Sequence, residues 1–371
     1  VRKFTDKLIL IFNLIVAAGL LFSYLAPFIN PAKLFLPALF GLAYPYLLMV
    51  NLIFICYWMI RLKKEILISL VAVLLGWNHL TNLLPINGNH IEPSGEANTE
   101  RVFKVLSYNV RAFNLYQWNK DPKTRENLFK FLREQSPNII CFQEFYSEGK
   151  GQRSQNIAKE LPFCPYSAIY YTSTPASISG FGIATYSSFP IIKRSRIPFN
   201  SIANAAMYTD HCINGDTIRV FNLHLESIGF REENYIFMDT VKFTYNNEQI
   251  KEIRKIGSRL KSAFIRRAEQ AAMIANYIKD SPYPVIVMGD FNDTPQSFAY
   301  RKIKKGMYDA FRKAGRGFGN TYAGELPSFR IDYIMYSDPF IPYQFKRIKN
   351  EYSDHFPITT RFYLPEIPNA E

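Results

Sequence analysis

Long stretches without a charge open the chain. Between Lys7 and Lys33, between Lys33 and Arg61, and between Glu65 and Glu92 there is no Asp, Glu, Lys or Arg, and Leu, Ile, Phe, Val and Ala dominate. A helix needs about 20 such residues to cross a bilayer. Leu8 to Phe28 and Leu34 to Ile60 meet that length, with Pro37 and Pro45 expected to kink the second without preventing insertion. Ile66 to Leu84 is weaker, because Asn78, His79 and Asn82 interrupt its second half. A signal peptide is the rival for the first stretch, with Arg2, Lys3 and Lys7 as its basic region, but the stretch is long and further spans follow. The expectation is a transmembrane region of three helices over residues 1–86, in contact with a lipid bilayer.

Basic residues then set the side. Arg2, Lys3, Lys7, Arg61, Lys63 and Lys64 fall at one end of such a bundle and only Lys33 at the other. Cytoplasmic loops keep the excess of Lys and Arg, so the pattern predicts an integral protein of the inner or plasma membrane with the rest of the chain extracytoplasmic, periplasmic in a cell with two membranes. Losing the third span would reverse the side. Segment 87–100, with Asn, Gly, Pro, Ser, Glu and Thr and little apolar content, reads as a linker.

Beyond it the pattern shortens to strands and a few helices, over residues 101–371. Val102 to Val110, Ile139 to Phe142, Phe181 to Tyr186, Ile191 to Ile197, Thr217 to Leu225 and Val285 to Met288 predict strands. Lys123 to Gln135 and Ser262 to Lys279 predict helices, each stopped by a proline shortly after. Many strands and few helices argue for two packed sheets with outer helices. Charge has to be divided between the two parts. Seven of the 44 Lys and Arg and two of the 31 Asp and Glu lie in the first 90 residues, which leaves the remainder at net +8. That balance suits an anionic substrate or membrane surface, and equally ordinary solubility. With Cys56 in a span and Cys141 in a buried strand, Cys164 and Cys212 are left as a possible pair.

Candidate chemistry sits at the strand ends. Ser107-Tyr108-Asn109, Gln143-Glu144, Asn222-Leu223-His224-Leu225, Gly289-Asp290-Phe291-Asn292, Arg330-Ile331-Asp332-Tyr333 and Ser353-Asp354-His355 follow one another along the chain. Side chains at strand ends can converge on one rim while the apolar residues before them stay buried. The carboxylates of Glu144 and Asp354 and the amide oxygen of Asn109 suit a hard divalent cation, Mg²⁺ or Mn²⁺. His355 and Asp332 add an imidazole and a carboxylate that could act as a pair, since a carboxylate partner fixes the tautomer.

Together with Gly180-Phe181-Gly182-Ile183-Ala184-Thr185-Tyr186, this ordered set resembles the endonuclease/exonuclease/phosphatase superfamily over residues 101–364. The resemblance implies an α/β fold, a four-layer αββα sandwich of two mainly antiparallel sheets, with the catalytic rim where the sheets meet. It implies that Asp290 orients and deprotonates the attacking water, that Asn292 places it or stabilises the transition state, and that His224 contacts phosphate or assists the leaving group. Tyr170 and Tyr171 align too loosely to join the site. The activity expected is metal-assisted hydrolysis of an anionic phosphate ester, a diester or a monoester. Nucleic acid and lipid headgroups remain alternative substrates, and a non-catalytic interaction module is the least favoured reading.

One segment is not explained by that set. Lys251 to Arg267 holds seven basic residues and one acid, with Ile253, Ile256, Leu260 and Phe264 on one helical face. It reads as a basic amphipathic helix, packed on its own domain, lying on lipid or gripping nucleic acid, and Gly257 weakens a long uninterrupted form.

Overall fold

The computed structural model describes residues 2–85, 101–148, 154–172, 179–199, 201, 203–229, 247–324 and 328–366, so the expected linker lies outside the described residues. Helices α1 (Arg2–Ser23), α2 (Leu36–Leu42), α3 (Tyr44–Ile60), α4 (Ile66–Leu75) and α5 (Trp77–Leu83) come first. Then follow α6 (Thr124–Gln135), α7 (Ser154–Glu160), α8 (Asn247–Lys279), α9 (Phe298–Lys304) and α10 (Ala310–Ala314). The strands are β1 (Val102–Asn109), β2 (Ile139–Glu148), β3 (Tyr166–Tyr171), β4 (Ser179–Ser187), β5 (Ile191–Ile197) and β6 (Ala205–Ile213). They continue with β7 (Asp216–His224), β8 (Val285–Asp290), β9 (Tyr308–Asp309), β10 (Asp332–Tyr336), β11 (Ile341–Arg347) and β12 (Ile358–Tyr363). Two compact units emerge. One joins Val1–Leu84 with Ile228–Ala272 and Asp293–Lys302, and the other holds Pro85–Ser227, Met273–Asn292 and Ile303–Glu371. The helical unit therefore recruits two later segments that a linear division at residues 86 and 101 assigns to the sandwich.

In the helical unit, Phe4–Ser23 is by itself long and apolar enough to cross a membrane, while α2 with α3 and α4 with α5 reach that length as pairs bent by 64° and 71°. The first bend has a proline at its restart, where Pro45 brings no N–H to continue the ladder of α2. The second falls at Gly76, just before the polar residues that interrupt the sequence pattern, and a Cβ there would lie 2.1 Å from the Tyr24 hydroxyl. Large apolar side chains such as Ile11, Phe12, Ile15, Ile53 and Leu75 face outward, whereas Asn13, Asn51 and Ser69 are wholly buried. Those three bond to one another. Asn13 donates to Ser69 at 2.6 Å, Ser69 donates to Asn51 at 2.8 Å, and the Trp58 indole donates to Asn13 at 2.9 Å. Asp6 pairs with Arg61 at 2.9 Å, tying the start of α1 to the end of α3. At the other end Tyr24 stacks on His79 with centroids 4.7 Å apart.

The second unit is two six-stranded sheets, in the orders β11-β12-β1-β2-β4-β3 and β5-β6-β7-β8-β10-β9. Each has one parallel pair, β1 with β2 and β7 with β8, among antiparallel neighbours. The sheets share one core. Phe103, Val105, Ile139 and Cys141 from the first pack with Ile218, Val220, Ile286, Met288 and Ile334 from the second. Helix α6 covers the outer face of the first sheet, with Leu128, Phe131 and Leu132 against Ile140 and Phe142. This is the sandwich that the strand pattern predicts. The possible disulfide is not there: all four cysteines are free, and the buried Cys164 thiol donates to the Pro137 carbonyl.

Candidate active site

The two parallel pairs end at one chemical cluster. Because β1 and β2 run in the same direction, Asn109 comes level with Gln143, next to Glu144; because β7 and β8 do so, His224 comes level with Asp290. The antiparallel β10 starts opposite, with Asp332 level with Asp290. Local backbone then aims the groups. A bulge separates Phe142 from Phe145, and Glu144 within it holds φ of 47°, a left-handed conformation that costs an ordinary residue energy and turns its carboxylate off the strand. Gly289 holds φ of 146° in the sheet, and a Cβ there would come within 2.0 Å of the Leu223 carbonyl, so β8 closes on β7 only with glycine before Asp290.

Asp290, 1% exposed, is the hub. Its Oδ2 accepts from Asn109 Nδ2 at 3.0 Å and lies 3.7 Å from His355 Nε2 and 3.9 Å from His224 Nε2, while Oδ1 accepts from the Asn292 N–H at 2.8 Å. Burial, helped by the charge of Asp332, pushes its carboxyl up to about 6. His355 meets Asp332 through Nδ1 at 2.9 Å. Burial by itself would lower the imidazole, but the charges of Asp332 and Asp290 outweigh it and hold His355 well above its ordinary value. His224 is driven the other way by burial. Its Nε2 is buried and has no hydrogen-bond partner among the described residues, an arrangement that favours a group arriving from outside.

Glu144 and Asp354 are the open side of the cluster, with side chains 41% and 18% exposed. Although part of the Glu144 side chain reaches solvent, desolvation by its surroundings and then the negative charge of Asp354 raise its carboxyl, and Arg111, 3.3 Å from Asp354, offsets part of the rise. A divalent cation between them would relieve both costs, and its preference for carboxylate oxygen fits this pair. Asp290, Asp332 and His355 also bring ligand-type atoms within 4.8 Å of one another. There the short His355 to Asp332 hydrogen bond already uses a donor and an acceptor, which suits proton handling better than ligation. The Asn109 amide differs from expectation. Its Nδ2 faces Glu144 at 3.2 Å and Asp290, while Oδ1 accepts from the Arg111 N–H at 3.1 Å, so the oxygen expected on a metal is turned to the backbone. Asn292 likewise spends its Nδ2 on the Leu225 carbonyl at 3.0 Å.

All eight expected site residues thus gather at one rim, and the structure adds others. Arg111 pairs with Asp354 at 3.3 Å and lies 4.8 Å over the Trp118 ring. It begins a run of left-handed residues, Arg111 to Asn114, with φ from 41° to 61°. Its position two residues after Asn109 was the available signal, but nothing in the sequence announces that turn. Ser353 donates to the Asn109 carbonyl at 2.7 Å and ties the last motif to the first. The chain running on from Asn109 and Glu144 walls a cavity of about 530 Å³ through Asn114, Gln117, Arg125, Tyr146 and Ser147.

A sandwich of two mixed sheets with an acid, amide and imidazole cluster at the strand ends defines a class, and comparison with known proteins agrees. The profile of the Endonuclease/Exonuclease/phosphatase family matches residues 106–355, and the chain belongs to that family. The family's members are hydrolases of phosphate esters and are generally dependent on divalent metal. Residues 6–83 match a domain of unknown function, DUF8431. No curated protein matches the chain by sequence. Among solved structures, a Bacteroides vulgatus endonuclease/exonuclease/phosphatase is similar at TM-score 0.53 and 17% identity, over 71% of this chain and 99% of that one. A Beutenbergia cavernae member gives TM-score 0.53 and 14% identity, over 73% of each chain. The human Nocturnin catalytic domain, solved with bound sulfate anion, gives 0.51 and 16%, over 71% and 94%.

Proposed function

We propose that the protein is a membrane-anchored, divalent-metal-dependent phosphodiesterase. One observation carries the reading: the partly exposed carboxylates Glu144 and Asp354 adjoin a buried Asp290, His355 and Asp332 relay, with Asn109 Nδ2 bonded to both Glu144 and Asp290. Glu144 and Asp354 would hold Mg²⁺ or Mn²⁺, which when bound neutralises charge on the non-bridging oxygens of the substrate. Asp290 orients the attacking water and takes its proton. His355, kept protonated by the carboxylates beside it, donates to the phosphate, and Asp332 fixes its ring. His224 points its unpaired Nε2 at the phosphate or the departing oxygen. Asn109 holds Glu144 and Asp290 in place through its Nδ2, because an oxygen ligand would require the amide to turn over and give up Arg111. Asn292 fixes Asp290 through its backbone N–H and stands ready to place the water.

The apolar outer surface of the helical unit and the polar bonds among its buried Asn13, Asn51 and Ser69 support anchoring by three crossings. With Asp6 and Arg61 at the cytoplasmic end, the chain leaves α5 at the opposite, extracytoplasmic end, where Tyr24 meets His79. An anchored enzyme meets lipid phosphodiesters more often than free nucleic acid, which ranks lipid headgroups first. The test is turnover of the full chain in lipid nanodiscs on phospholipid, DNA, RNA and an aryl phosphodiester, with Mg²⁺ and with chelator. Glu144→Gln should lower activity by orders of magnitude, with partial recovery at raised Mg²⁺. Full turnover in chelator would end this reading.

A further inference from the structure

Helix α8 runs unbroken from Asn247 to Lys279, and Gly257 sits in open space on it. The basic stretch is therefore the first part of one rigid rod rather than a separate helix. Along that rod an apolar stripe changes its surroundings. Phe264 and Ala268 are buried at 3% and 2%, Ile256 and Leu260 are half-buried, and Ile253 and Ile250 are bare at 43% and 38%. Lys251, Arg254, Lys255 and Lys261 are exposed beside the bare end. Buried charge fixes the other end: Arg267, 1% exposed, meets Asp293 at 3.3 Å.

Contacts within the helical unit give the level at which this rod lies. Lys261 places its ammonium 6.0 Å over the Phe35 ring, and Arg301 lies 4.3 Å over the exposed Phe28 ring. Both rings belong to the connection between α1 and α2, which caps the bundle at the end where Tyr24 stacks on His79. Cations at Lys261 and Arg301 mark that end as the boundary between apolar helices and water. From Lys261 back to Ile250 the helix extends about 16 Å. Two isoleucines one turn apart, each about two fifths exposed among Lys251, Arg254 and Lys255, continue the buried stripe of Phe264 and Ala268, and a phosphate grip on nucleic acid has no use for them. Apolar side chains flanked by Lys and Arg are what a helix lying in a bilayer interface presents.

We propose that the N-terminal half of α8 lies in the headgroup layer of the bilayer that α1 crosses, on the side where the chain leaves α5. Ile250 and Ile253 reach toward the acyl chains, and Lys251, Arg254, Lys255 and Lys261 hold the phosphates of anionic lipids. This rests on the membrane-anchored reading and gives that reading a lipid preference.

Hydrogen exchange on the full chain tests it, in nanodiscs of phosphatidylcholine alone and in nanodiscs that also contain phosphatidylglycerol. Amides of residues 250–261 should exchange roughly tenfold more slowly with the anionic lipid, with residues 273–279 unchanged. The combined Lys251→Glu, Arg254→Glu and Lys255→Glu variant should lose the difference. Equal exchange in both lipids overturns the proposal without needing any variant. Protection in phosphatidylcholine discs on adding a single-stranded oligonucleotide, matching that from phosphatidylglycerol, would overturn it in favour of nucleic acid. Alkaline carbonate extraction separates the underlying reading, because a chain released from membranes is not anchored at all.

Discussion

The two units bury the same polar side chains for opposite reasons. In the sandwich, apolar residues fill most of the space between sheets, and buried polar groups line the rim, stitch the sheets together or pair within one sheet, as Asp210 does with Arg219 at 2.7 Å. Asn222 there accepts from Gln143 at 2.8 Å and donates to the Ala184 and Phe142 carbonyls at 3.0 and 3.2 Å. In the helical unit large apolar residues also face outward, and the wholly buried Asn13, Asn51 and Ser69 bond to one another among buried Val16, Leu20, Leu48, Phe54 and Trp58. Water drives the first arrangement. On the proposed anchoring the helical unit lies in lipid, where there is no apolar driving force between helices, so packing and polar bonds would hold them instead. The contrast shows that burial of an amide says nothing about its role until the medium on the outside is known.

The largest effect should come from the rim, where burial serves chemistry rather than stability. Asp290→Asn should cut kcat/KM by about 10²–10⁴-fold while leaving the sandwich folded, because it removes the base and keeps the shape. The pH profile follows from the same residue. With its carboxyl raised to about 6, Asp290 is protonated below that pH and ionised above it, so activity should fall about tenfold per pH unit on the acid side of about 6. A wild-type profile flat down to about pH 4, where an ordinary carboxylate titrates, would remove Asp290 from the role of base.

A stitch between the sheets should come next. Asn222→Leu removes one partner from Gln143, which keeps the Cys141 carbonyl at 3.2 Å, and one from each of the buried Phe142 and Ala184 carbonyls, and a stranded buried polar group costs about 1–3 kcal/mol. The thermal midpoint of the sandwich should drop by several degrees, with the activity lost at low temperature smaller than for Asp290→Asn. An unshifted midpoint would mean that the sheets pack without this bridge.

Legibility differed between the units for the same physical reason. Strands of the sandwich alternate or run apolar up to a polar end, so candidate groups at those ends were legible from local pattern, while bringing Asp290, Asp332, His355, Glu144 and His224 to one rim rested on the family resemblance. What stayed hidden depends on contacts distant in sequence or on backbone torsion. The left-handed turn from Arg111 to Asn114 that brings Arg111 to Asp354 is one case, and the orientation of the Asn109 amide is another. In the helical unit the charge-free stretches and a proline kink in the second were legible, but not the full breaks within them, since Leu34 to Ile60 and Ile66 to Leu84 each hold two helices, bent by 64° and 71°, and α1 ends at Ser23 rather than Phe28. That Ile228–Ala272 and Asp293–Lys302 join it was not legible either, because Arg301 over Phe28 and Gln296 bonded to His79 are contacts between segments more than 200 residues apart.

The smallest effect should be the counterpart of the Asn222 change in the other unit. Asn51 accepts from Ser69 at 2.8 Å and donates to Leu47 of its own helix at 2.8 Å. Replacing it by leucine strands little, since Leu47 lies inside α3, where the helical N–H four residues on serves its carbonyl, the Ser69 hydroxyl still accepts from Asn13 at 2.6 Å, and the other bond lost is a long one to the Val16 carbonyl at 3.4 Å. Interhelical polar bonds in membranes are worth about 0.6 kcal/mol on average and rarely beyond 1.7. Asn51→Leu should therefore weaken the helical unit by about that average, read from unfolding of the full chain in bicelles, and by less than Asn222→Leu weakens the sandwich. A loss of several kcal/mol would show that the helices depend on this network as a soluble core depends on its stitches, and the contrast between the two interiors would fail.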